Sequence, residues 1–525
     1  MNRASSLASQ LAVVIHRRKF GGRFTILNRP EKYNALNLEM IRSITPQLQA
    51  WNESNLCKVI ILKATGSKAF CAGGDVRAAT FFEEEYQLNH LLATLDKPFV
   101  ALMNGITMGG GVGLSVHAPF RVATENTVFA MPETHIGFFP DVGGSFFLPR
   151  MDGETGTYLA LTGTRLKGID VFLSGVATHY IPSERLPYLE ERLCELESDD
   201  HEVINAAIED YVAEPDNETR YSLSGDIRNS IDRLNTVEEI VAVLEKENTP
   251  WAKETRDIIL KMSPTSLKVT LHLMRVGKNL GIADCFNLEY RLAQKFLEKS
   301  DFAEGVTARL IEKRDSPNWN PQTLEQISDE EIENFYFKSP AHSNTLNLLN
   351  PRTFISYPHA RLGLPTESDI KKVVTGQNRD VGPMAMTKRE IVDFFLKERK
   401  GKIGTREKVM EVLDRKTRSA DDGNDCVRWV NNDDFDNHTV QRIENGKSFH
   451  AVNNINLKKC ASVPSGSGII FSDNPEMKVP PLVVPLIFTL LISPLVNECT
   501  LSYFMIGSLA WKIRKLATST PLIPD

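Results

Sequence analysis

Two acidic residues, Glu133 and Asp141, stand eight positions apart in a strongly apolar stretch, FAMPETHIGFFPDVGG. Each lies beside a proline. An apolar pocket raises the pKa of a carboxyl group, because burial disfavours its charged form, and a carboxyl group with a raised pKa suits acid–base chemistry near neutral pH. The alternative is an ordinary surface or helix-cap carboxylate. The residue types alone leave both interpretations open.

Two glycine-rich turns precede these acids, CAGGD at 71–75 and GGGVG at 109–113, and each follows a predicted strand. Glycine lets a ligand approach the main chain closely, and a helix start presents N–H groups without internal acceptors. Two such N–H groups from separate turns can stabilise a developing oxyanion. Tight packing of a helix on a strand would require the same small residues, so this pattern also has two explanations.

The glycine run fits none of the common nucleotide or hydrolase motifs. A dinucleotide GxGxxG pattern starting at Gly109 fails at Leu114, and no Lys-Ser/Thr pair follows as in a P-loop. A nucleophile elbow fails at His117, and Ser115 and His117 would point apart on a helix. Cys71 has no basic partner nearby in the sequence and is expected to be a small core residue.

Alternating hydrophobic patterns predict that residues 12–150 repeat a strand, strand, helix order, which is an α/β layer fold with crossovers. A helix with Asn37 as its N-cap carries Leu38, Ile41, Leu48 and Trp51 near helical spacing. A second helix begins at the glycine run. The predicted strands are VVIHRR, GRFTIL, KVIILKA, FVALMNG, FRVATE and TVFAMPE.

The chain has 525 residues, too many for one ordinary core. We divide it into a short targeting segment at 1–11, an α/β core at 12–235, a helical region completing the fold at 236–320, a helical extension at 321–418 and a tail at 419–525. Thr387 and Glu390 form a predicted capping box in the extension. The Asn/Asp-rich and then Ser/Gly-rich start of the tail suggests disorder or an artefactual segment.

The tail contains an uncharged stretch at 479–496, VPPLVVPLIFTLLISPLV, which has the length of a membrane span. Its four prolines argue against a straight spanning helix. A membrane association is therefore not expected.

Composition excludes several function classes. A net charge of −6 argues against a nucleic-acid-binding protein, which usually has a basic face. The seven cysteines are scattered, with no CxxC or Cys/His spacing, so neither a disulfide framework nor a metal site is predicted. The first thirty residues carry basic residues and serines and no acid before Glu31, a bias typical of organelle transit peptides. The same residues also suit a first strand from Ala12.

Five segments together resemble the crotonase (enoyl-CoA hydratase/isomerase) superfamily and, within it, the 3-hydroxyisobutyryl-CoA hydrolase branch: NRPEKYNALNLEM, KAFCAGGDVR, ITMGGGVGLSVH, FAMPETHIGFFPDVGGSFFLPR and LALTGTRLKGID. The resemblance covers residues 12 to about 320 and extends more loosely, as in fungal members, to about 418. It implies an α/β fold, a crotonase-like spiral of ββα units followed by a helical C-terminal region, and a CoA thioester substrate.

The resemblance also implies the site residues. The thioester oxygen accepts the N–H groups of Gly74 and Gly110, and three acids contact the substrate: Glu85, Glu133 and Asp141. Glu133 and Asp141 are the implied catalytic residues. His135 would share a face with Glu133 on a strand, but the family motif does not require it and a packing role is preferred.

One departure from the wider superfamily bears on the reaction. Hydratases carry a first catalytic glutamate in a GGGCEL pattern, and the aligned residue here is Gly113. Hydration needs two carboxylates on one water, so hydrolysis of a short branched hydroxyacyl-CoA is favoured, with 3-hydroxyisobutyryl-CoA as the expected substrate. The alternatives are an enoyl-CoA hydratase or isomerase, and a structural subunit of a mitochondrial ribosome.

The implied partners are an acyl-CoA substrate, a homo-oligomer and the mitochondrial ribosome, with no membrane or direct nucleic-acid contact and no cofactor beyond the CoA of the substrate. Lys32, Arg77 and Lys313 are candidates for binding CoA phosphates, or are solvated surface charges. Family placement implies a mitochondrial location and a role in valine catabolism.

Overall fold

Two sheets built from alternate strands form the α/β part of the computed structural model, which describes residues 12–75, 79–213, 234–338, 345–382, 384–420 and 425–430. The segment proposed for targeting, Arg77, the uncharged stretch 479–496 and most of the tail lie outside the described residues. The strands are β1 (Val14–Lys19), β2 (Gly22–Leu27), β3 (Val59–Ala64), β4 (Ala69–Ala72), β5 (Phe99–Met103), β6 (Ile106–Met108), β7 (Phe120–Ala123), β8 (Val128–Ala130), β9 (Leu166–Lys167), β10 (His179–Tyr180), β11 (Thr417–Ser419) and β12 (Val427–Trp429).

Helices follow the strand pairs and then dominate the second half of the chain. The α-helices are α1 (Leu38–Glu53), α2 (Ala79–Ala93), α3 (Gly110–Ser115), α4 (Gly144–Phe147), α5 (Thr155–Thr162), α6 (Ile169–Leu173), α7 (Leu186–Glu195), α8 (His201–Glu209), α9 (Val237–Glu247), α10 (Pro250–Ile259), α11 (Pro264–Gly277), α12 (Ile282–Leu297), α13 (Ser300–Val306), α14 (Asp329–Ile332), α15 (Glu367–Val374), α16 (Lys388–Glu398) and α17 (Thr405–Lys416). Short 3₁₀ turns include Pro30–Lys32 and Glu133–Ile136, and π-helical turns occupy Thr307–Glu312 and Glu333–Lys338.

From β3 to β8, consecutive strands alternate between the two sheets. The larger sheet has the order β1-β2-β3-β5-β7-β10, and the smaller has the order β4-β6-β8-β9. β1 and β2 are antiparallel, and the other neighbours in the larger sheet run parallel. The chain therefore advances by one strand in each sheet per unit, with α2 and α3 as the helices of successive units. The predicted α/β spiral of ββα units with a helical C-terminal region is confirmed.

The predicted first helix and its cap are confirmed. Helix α1 begins after Asn37, whose side chain accepts a hydrogen bond from the N–H of Met40. Its buried residues include Ile41, Leu48 and Trp51, as helical spacing requires. The prediction that TVFAMPE is a single strand is wrong at its end: β8 stops at Ala130, and Glu133–Ile136 forms a 3₁₀ turn. Pro132 directly before that turn has no N–H with which to continue the ladder.

One hydrophobic core joins the α/β units to the helices that follow. Buried side chains of α11 and α12, such as Leu271 and Phe286, belong to the same cluster as Ile60 of β3. Helices α15 to α17 form a separate cluster with Val427 of β12, and the predicted Thr387–Glu390 capping box is present there. β12 pairs with β11, so the described part of the predicted tail packs on the extension.

Among the residues that the structure describes, no helix combines the length and the apolar character needed to cross a bilayer.

Candidate active site

Three neighbouring strands of the smaller sheet deliver the glycine turns and the first acid to one place. β4, β6 and β8 run parallel, and their final residues stand in register. Because the carboxyl ends of parallel strands meet at one sheet edge, the segments that follow them converge. These segments contain Gly74, Gly110 and Glu133, and all three residues line the same cavity.

The turn after β4 is held from one side by Leu36. The N–H of Leu36 donates to the Gly73 carbonyl at 2.9 Å, and the N–H of Asp75 donates to the Leu36 carbonyl at 2.6 Å. Gly74 lies between these two bonded residues, so in this parallel bridge its own N–H points to the opposite side of the strand. Gly74 also lines the cavity. Arg29 fixes the turn through an ion pair with Asp75, with 3.1 Å between Nη2 and Oδ2.

The second glycine turn lies against the first. A Cβ atom at Gly110 would stand 3.3 Å from the Gly73 carbonyl oxygen, and one at Gly109 would stand 3.4 Å from the Gly73 Cα. Gly109 has φ 47° and ψ −118°, a conformation that requires glycine. Gly110 is the first residue of α3, so its N–H is among those that a helix cannot satisfy internally.

A partly enclosed cavity lies between these turns. Aromatic rings form much of its wall: Phe82 stacks on Phe138 at a centroid distance of 5.4 Å, and Phe138 contacts Phe302 at 4.8 Å. An apolar wall of this kind lowers the local dielectric and strengthens every charge interaction inside. The complete lining is Gly74, Phe81, Phe82, Glu85, Gly109, Gly110, Glu133, Phe138, Asp141, Val142 and Phe302.

Three buried acids converge on the glycine turns. Oε1 of Glu85 lies 2.7 Å from the position of a Cβ atom at Gly110, and Oε1 of Glu133 lies 3.1 Å from that of Gly109. Asp141 lines the same cavity. Neither carboxylate oxygen of Glu133 has a hydrogen-bond partner from another residue in the described ranges, and Oε1 of Glu85 has none either. Buried polar atoms without protein partners are expected where a ligand or water is to be bound.

Burial raises the pKa of all three acids. For Glu133 the next cause is the negative charge of Asp141, and its pKa stands well above the ordinary range. The pKa of Glu85 is raised well above its usual value by burial and then by the charges of Asp141 and Glu133. Burial raises the pKa of Asp141 to about 7, against the opposing effect of a hydrogen bond from Tyr86. The group can therefore hold or release a proton near neutral pH.

The loop that carries Asp141 is fixed by groups distant in sequence. Val142 and Gly143 both have positive φ angles, 51° and 87°, and such a conformation is strained for a β-branched residue. Nε2 of His117 lies 2.8 Å from the Val142 carbonyl oxygen. Because burial lowers the pKa of His117 to about 4, the ring is neutral and donates this N–H. Ser115 and His117 therefore do not form a catalytic pair, as expected from the sequence. The Ser115 Oγ donates a hydrogen bond to the Gly111 carbonyl of its own helix.

Glu289 on α12 is the second anchor of this loop, and sequence reasoning missed it. Its carboxylate accepts the N–H groups of Gly143 and Ser145 at 2.7 and 2.9 Å, and the Ser145 hydroxyl at 2.5 Å. Burial raises the pKa of Glu289 to about 8, although these hydrogen bonds favour its charged form. The available signal was a glutamate between Phe286 and Leu292 on the apolar face of a helix.

Other candidate residues lie elsewhere. The Cys71 thiol is buried and its pKa is raised to about 12, which leaves it unreactive. His135 directs Nε2 to the Thr162 carbonyl at 2.8 Å, a packing contact. Lys32 ends the 3₁₀ turn Pro30–Lys32 and Lys313 follows the π-helical turn Thr307–Glu312; both side chains are exposed, as either a CoA-binding rim or solvated charges would be. No cluster of potential metal ligands occurs within the described ranges.

Residues 22–336 match the sequence profile of the enoyl-CoA hydratase/isomerase family. A carnitinyl-CoA dehydratase from Mycobacterium thermoresistibile has a similar structure, with a TM-score of 0.59 and 32% identity over 64% of this chain and 99% of that one. The chain belongs to the enoyl-CoA hydratase/isomerase family, the crotonase superfamily.

Two curated relatives refine this placement. The mitochondrial 3-hydroxyisobutyryl-CoA hydrolase of Gallus gallus is 48% identical over 353 residues, which are 64% of this chain and 91% of that protein. The small ribosomal subunit protein mS47 of Neurospora crassa is 45% identical over 439 residues, 77% of this chain and 85% of that protein. The predicted resemblance to the 3-hydroxyisobutyryl-CoA hydrolase branch is confirmed.

Proposed function

We propose that this protein hydrolyses a short branched hydroxyacyl-CoA thioester, 3-hydroxyisobutyryl-CoA, to 3-hydroxyisobutyrate and CoA. The identity with hydrolases of that name supports the substrate. The observation in the chain itself that carries the proposal is the convergence of Gly74, Gly110 and Glu133 at the ends of three parallel strands. The protein is mitochondrial, like these relatives, and acts in valine catabolism.

The N–H groups of Gly74 and Gly110 stabilise the thioester oxygen. As the carbonyl carbon becomes tetrahedral, negative charge develops on that oxygen, and a preorganised N–H donor is worth about 3–4 kcal/mol in such a position. Both glycines line the cavity, and the bridge to Leu36 leaves the N–H of Gly74 pointing to the side opposite Leu36. The aromatic wall keeps bulk water away and strengthens the interaction.

Glu133 acts on the carbonyl carbon in one of two ways. As a nucleophile, its ionised carboxylate forms a C–O bond to the carbonyl carbon while the C–S bond breaks, and water then cleaves the resulting mixed anhydride. As a general base, it takes a proton from a water molecule whose oxygen forms the C–O bond to the carbonyl carbon, after which the C–S bond breaks. In both routes the products are the free acid and CoA, and the leaving sulfur ends with a proton. Neither carboxylate oxygen of Glu133 is hydrogen-bonded to another described residue, as either role requires.

Asp141 and Glu85 complete the site. Asp141, whose pKa is raised to about 7, binds the 3-hydroxyl of the substrate or the hydrolytic water. Glu85, with a pKa raised further by its two acidic neighbours, orients these groups as a neutral carboxyl group beside Gly110. The reaction needs no cofactor beyond the CoA of the substrate. The exposed Lys32 and Lys313, together with Arg77, supply positive charge for the CoA phosphates.

The test is a thioesterase assay over short acyl-CoAs that differ in branching and hydroxylation, run beside crotonyl-CoA hydration. We expect the highest kcat/KM for 3-hydroxyisobutyryl-CoA and no significant hydration. Efficient hydration with weak hydrolysis would instead establish the hydratase alternative.

A second candidate function is association with the small subunit of the mitochondrial ribosome. The match to mS47 takes in 77% of this chain, against 64% for the Gallus gallus hydrolase. Co-sedimentation of the protein with ribosomal small subunits in a sucrose gradient tests this candidate. A protein that stays at the top of the gradient at physiological salt would exclude it, whereas the hydrolase assay is independent of this result.

Self-association is the third partnership that we propose, because the helical region after the α/β units often makes oligomer contacts in this superfamily. Sedimentation velocity of the purified chain decides it: a single monomeric species across the micromolar range would exclude a stable oligomer.

A further inference from the structure

Asn89 lies one helical turn beyond Glu85 on the same face of α2, and its side chain is fully buried. Neither the oxygen nor the nitrogen of its carboxamide has a hydrogen-bond partner among the described residues, and the same holds for Oε1 of Glu85. Buried amide groups are nearly always bonded to protein or to ordered water. Three such atoms on adjoining turns of one helix indicate a ligand that the protein itself does not supply.

The face of α2 that carries Glu85 and Asn89 packs against helix α3, and we call this contact the seam. On the α3 side, the residues that face the two polar groups are glycines. A Cβ atom at Gly113 would stand 2.8 Å from Oδ1 and 3.0 Å from Nδ2 of Asn89. One turn nearer the cavity, a Cβ atom at Gly110 would stand 2.7 Å from Oε1 of Glu85. The two glycines are three residues apart and the two polar residues four, so each pair lies on one helix face. The backbone of α3 thus approaches both polar groups without an intervening side chain.

The seam between α2 and α3 adjoins the wall of the cavity. Glu85 and Val142 line the cavity, and the Cβ of Val142 lies 2.7 Å from the position of a Cβ atom at Gly113. Asn89 therefore stands one layer behind the cavity wall, next to the strained residue that follows Asp141.

We propose that Asn89 forms an inner subsite for one hydroxyl oxygen, either a water molecule or the hydroxyl group of a hydroxyacyl substrate. A carboxamide has both a donor and an acceptor, so it can donate one hydrogen bond to a hydroxyl oxygen and accept another from the same hydroxyl group. An ionised carboxylate can only accept. Together with Oε1 of Glu85, it gives such an oxygen three polar partners, the usual number for a buried water. The substrate source rests on the function proposed above, whereas the water source does not.

The test compares Asn89→Leu, which removes the polar atoms at nearly constant volume, with the wild type. The matched control is Asn287→Leu on α12, whose carboxamide donates to the Ala283 carbonyl of its own helix. Hydrolysis is measured with 3-hydroxyisobutyryl-CoA and with isobutyryl-CoA, which lacks the hydroxyl, and the melting temperature is measured in parallel. We expect Asn89→Leu to lower kcat/KM at least ten-fold without lowering the melting temperature, since a purely structural carboxamide would lower it.

The two substrates separate the two sources. A loss confined to 3-hydroxyisobutyryl-CoA assigns the subsite to the substrate hydroxyl, and an equal loss on both assigns it to water. Unchanged kcat/KM on both substrates in folded Asn89→Leu would overturn the proposal while leaving the hydrolase function intact. If that variant does not fold, or the wild type is not a hydrolase, a high-resolution structure of the wild type decides. An ordered oxygen bonded to Asn89 supports the subsite, and a carboxamide bonded only to protein groups contradicts it.

Discussion

The phenolic hydroxyl of Tyr86 donates a hydrogen bond of 2.7 Å to Oδ2 of Asp141, and both side chains are buried. This bond joins α2, which also carries Glu85, to the loop after Pro140. It is the one described interaction that lowers the pKa of Asp141 from another side chain, against the larger effect of burial. The ionisation of Asp141 therefore depends on Tyr86, which does not itself contact the reacting atoms.

Removing this hydroxyl should move the pH profile of the enzyme. In Tyr86→Phe, the ionised form of Asp141 loses a donor, so the pKa of Asp141 rises above about 7. Because Glu133 and Asp141 interact, the pair then ionises at higher pH as a unit. We expect the acidic limb of kcat/KM to shift to higher pH and the rate at pH 7 to fall several-fold, with recovery at higher pH. Tyr290→Phe, which removes a neighbouring hydroxyl on α12, serves as the control and should leave the limb in place.

The buried acids should cost stability as the pH rises. Glu85 has a raised pKa in the folded state. Above the unfolded-state pKa of about 4.3, the unfolded chain releases this proton while the folded protein retains it, so the free energy of unfolding decreases. The penalty grows as the pH rises from that value toward the folded-state pKa. Glu85→Gln removes it, and we expect a melting temperature roughly 2 °C or more above the wild type at pH 8. The gap should close near pH 4.

Thermal unfolding between pH 4 and 8 measures this effect, with Glu254→Gln at an exposed position as the control. A Glu85→Gln variant that is less stable than the wild type at pH 8 would show that the carboxylate is stabilised by its surroundings, contrary to the burial argument.

A side chain at Gly110 should impair catalysis more than folding. In Gly110→Ala the new Cβ meets Oε1 of Glu85 at 2.7 Å, and the end of this flexible side chain must move away from the proposed oxyanion position. We expect kcat to fall about 10- to 100-fold, because displacements of about 1 Å have effects of that size, with little change in melting temperature. Gly363→Ala is the matched control, since its nearest neighbour would stand 3.6 Å away. Equal losses of stability in both variants with normal kcat would contradict this account.

Restoring a glutamate at position 113 should not restore hydratase chemistry. A Cβ atom there would stand 2.7 Å from the Cβ of Val142 and 2.8 Å from Oδ1 of Asn89, so the space is already filled. We expect Gly113→Glu to lower the melting temperature, to lose hydrolysis and to gain no hydration of crotonyl-CoA. The smaller Gly113→Ala change should be destabilising alone and partly rescued by Val142→Gly, because the second change removes the Cβ atom that would stand 2.7 Å from the new one. Absence of any coupling between these two substitutions would show that the loop relaxes freely.

Local patterns predicted the elements of the fold well, because each is encoded by neighbouring residues. The Asn37 cap and the apolar spacing of α1 are visible within sixteen residues, and the glycine turns follow recognisable strands. The division at residue 235 stays a prediction: α7 and α8 already precede it, and the last strand of the α/β part ends at Tyr180. Phe286 and Ile60 share one core, which no local pattern can show.

The site was predicted from motif positions rather than from physical reasoning on the acids themselves. Nothing local distinguishes Glu85 from Glu83 and Glu84 except its spacing from Phe81 and Phe82, both of which are buried. The anchor at Glu289 is 146 residues from Gly143, and its role depends on tertiary packing. The end of β8 was misplaced because FAMPE continues an apolar run beyond the proline that terminates the ladder.

The most direct test of the central claim is the release of CoA thiol from 3-hydroxyisobutyryl-CoA by wild-type protein and by Glu133→Gln, under saturating substrate and with folding verified by thermal unfolding. If Glu133 acts on a thioester carbon held at Gly74 and Gly110, the variant should fold at least as stably as the wild type and lose about 10²- to 10⁴-fold in kcat. A folded Glu133→Gln protein that releases CoA at a near-normal rate would contradict the account.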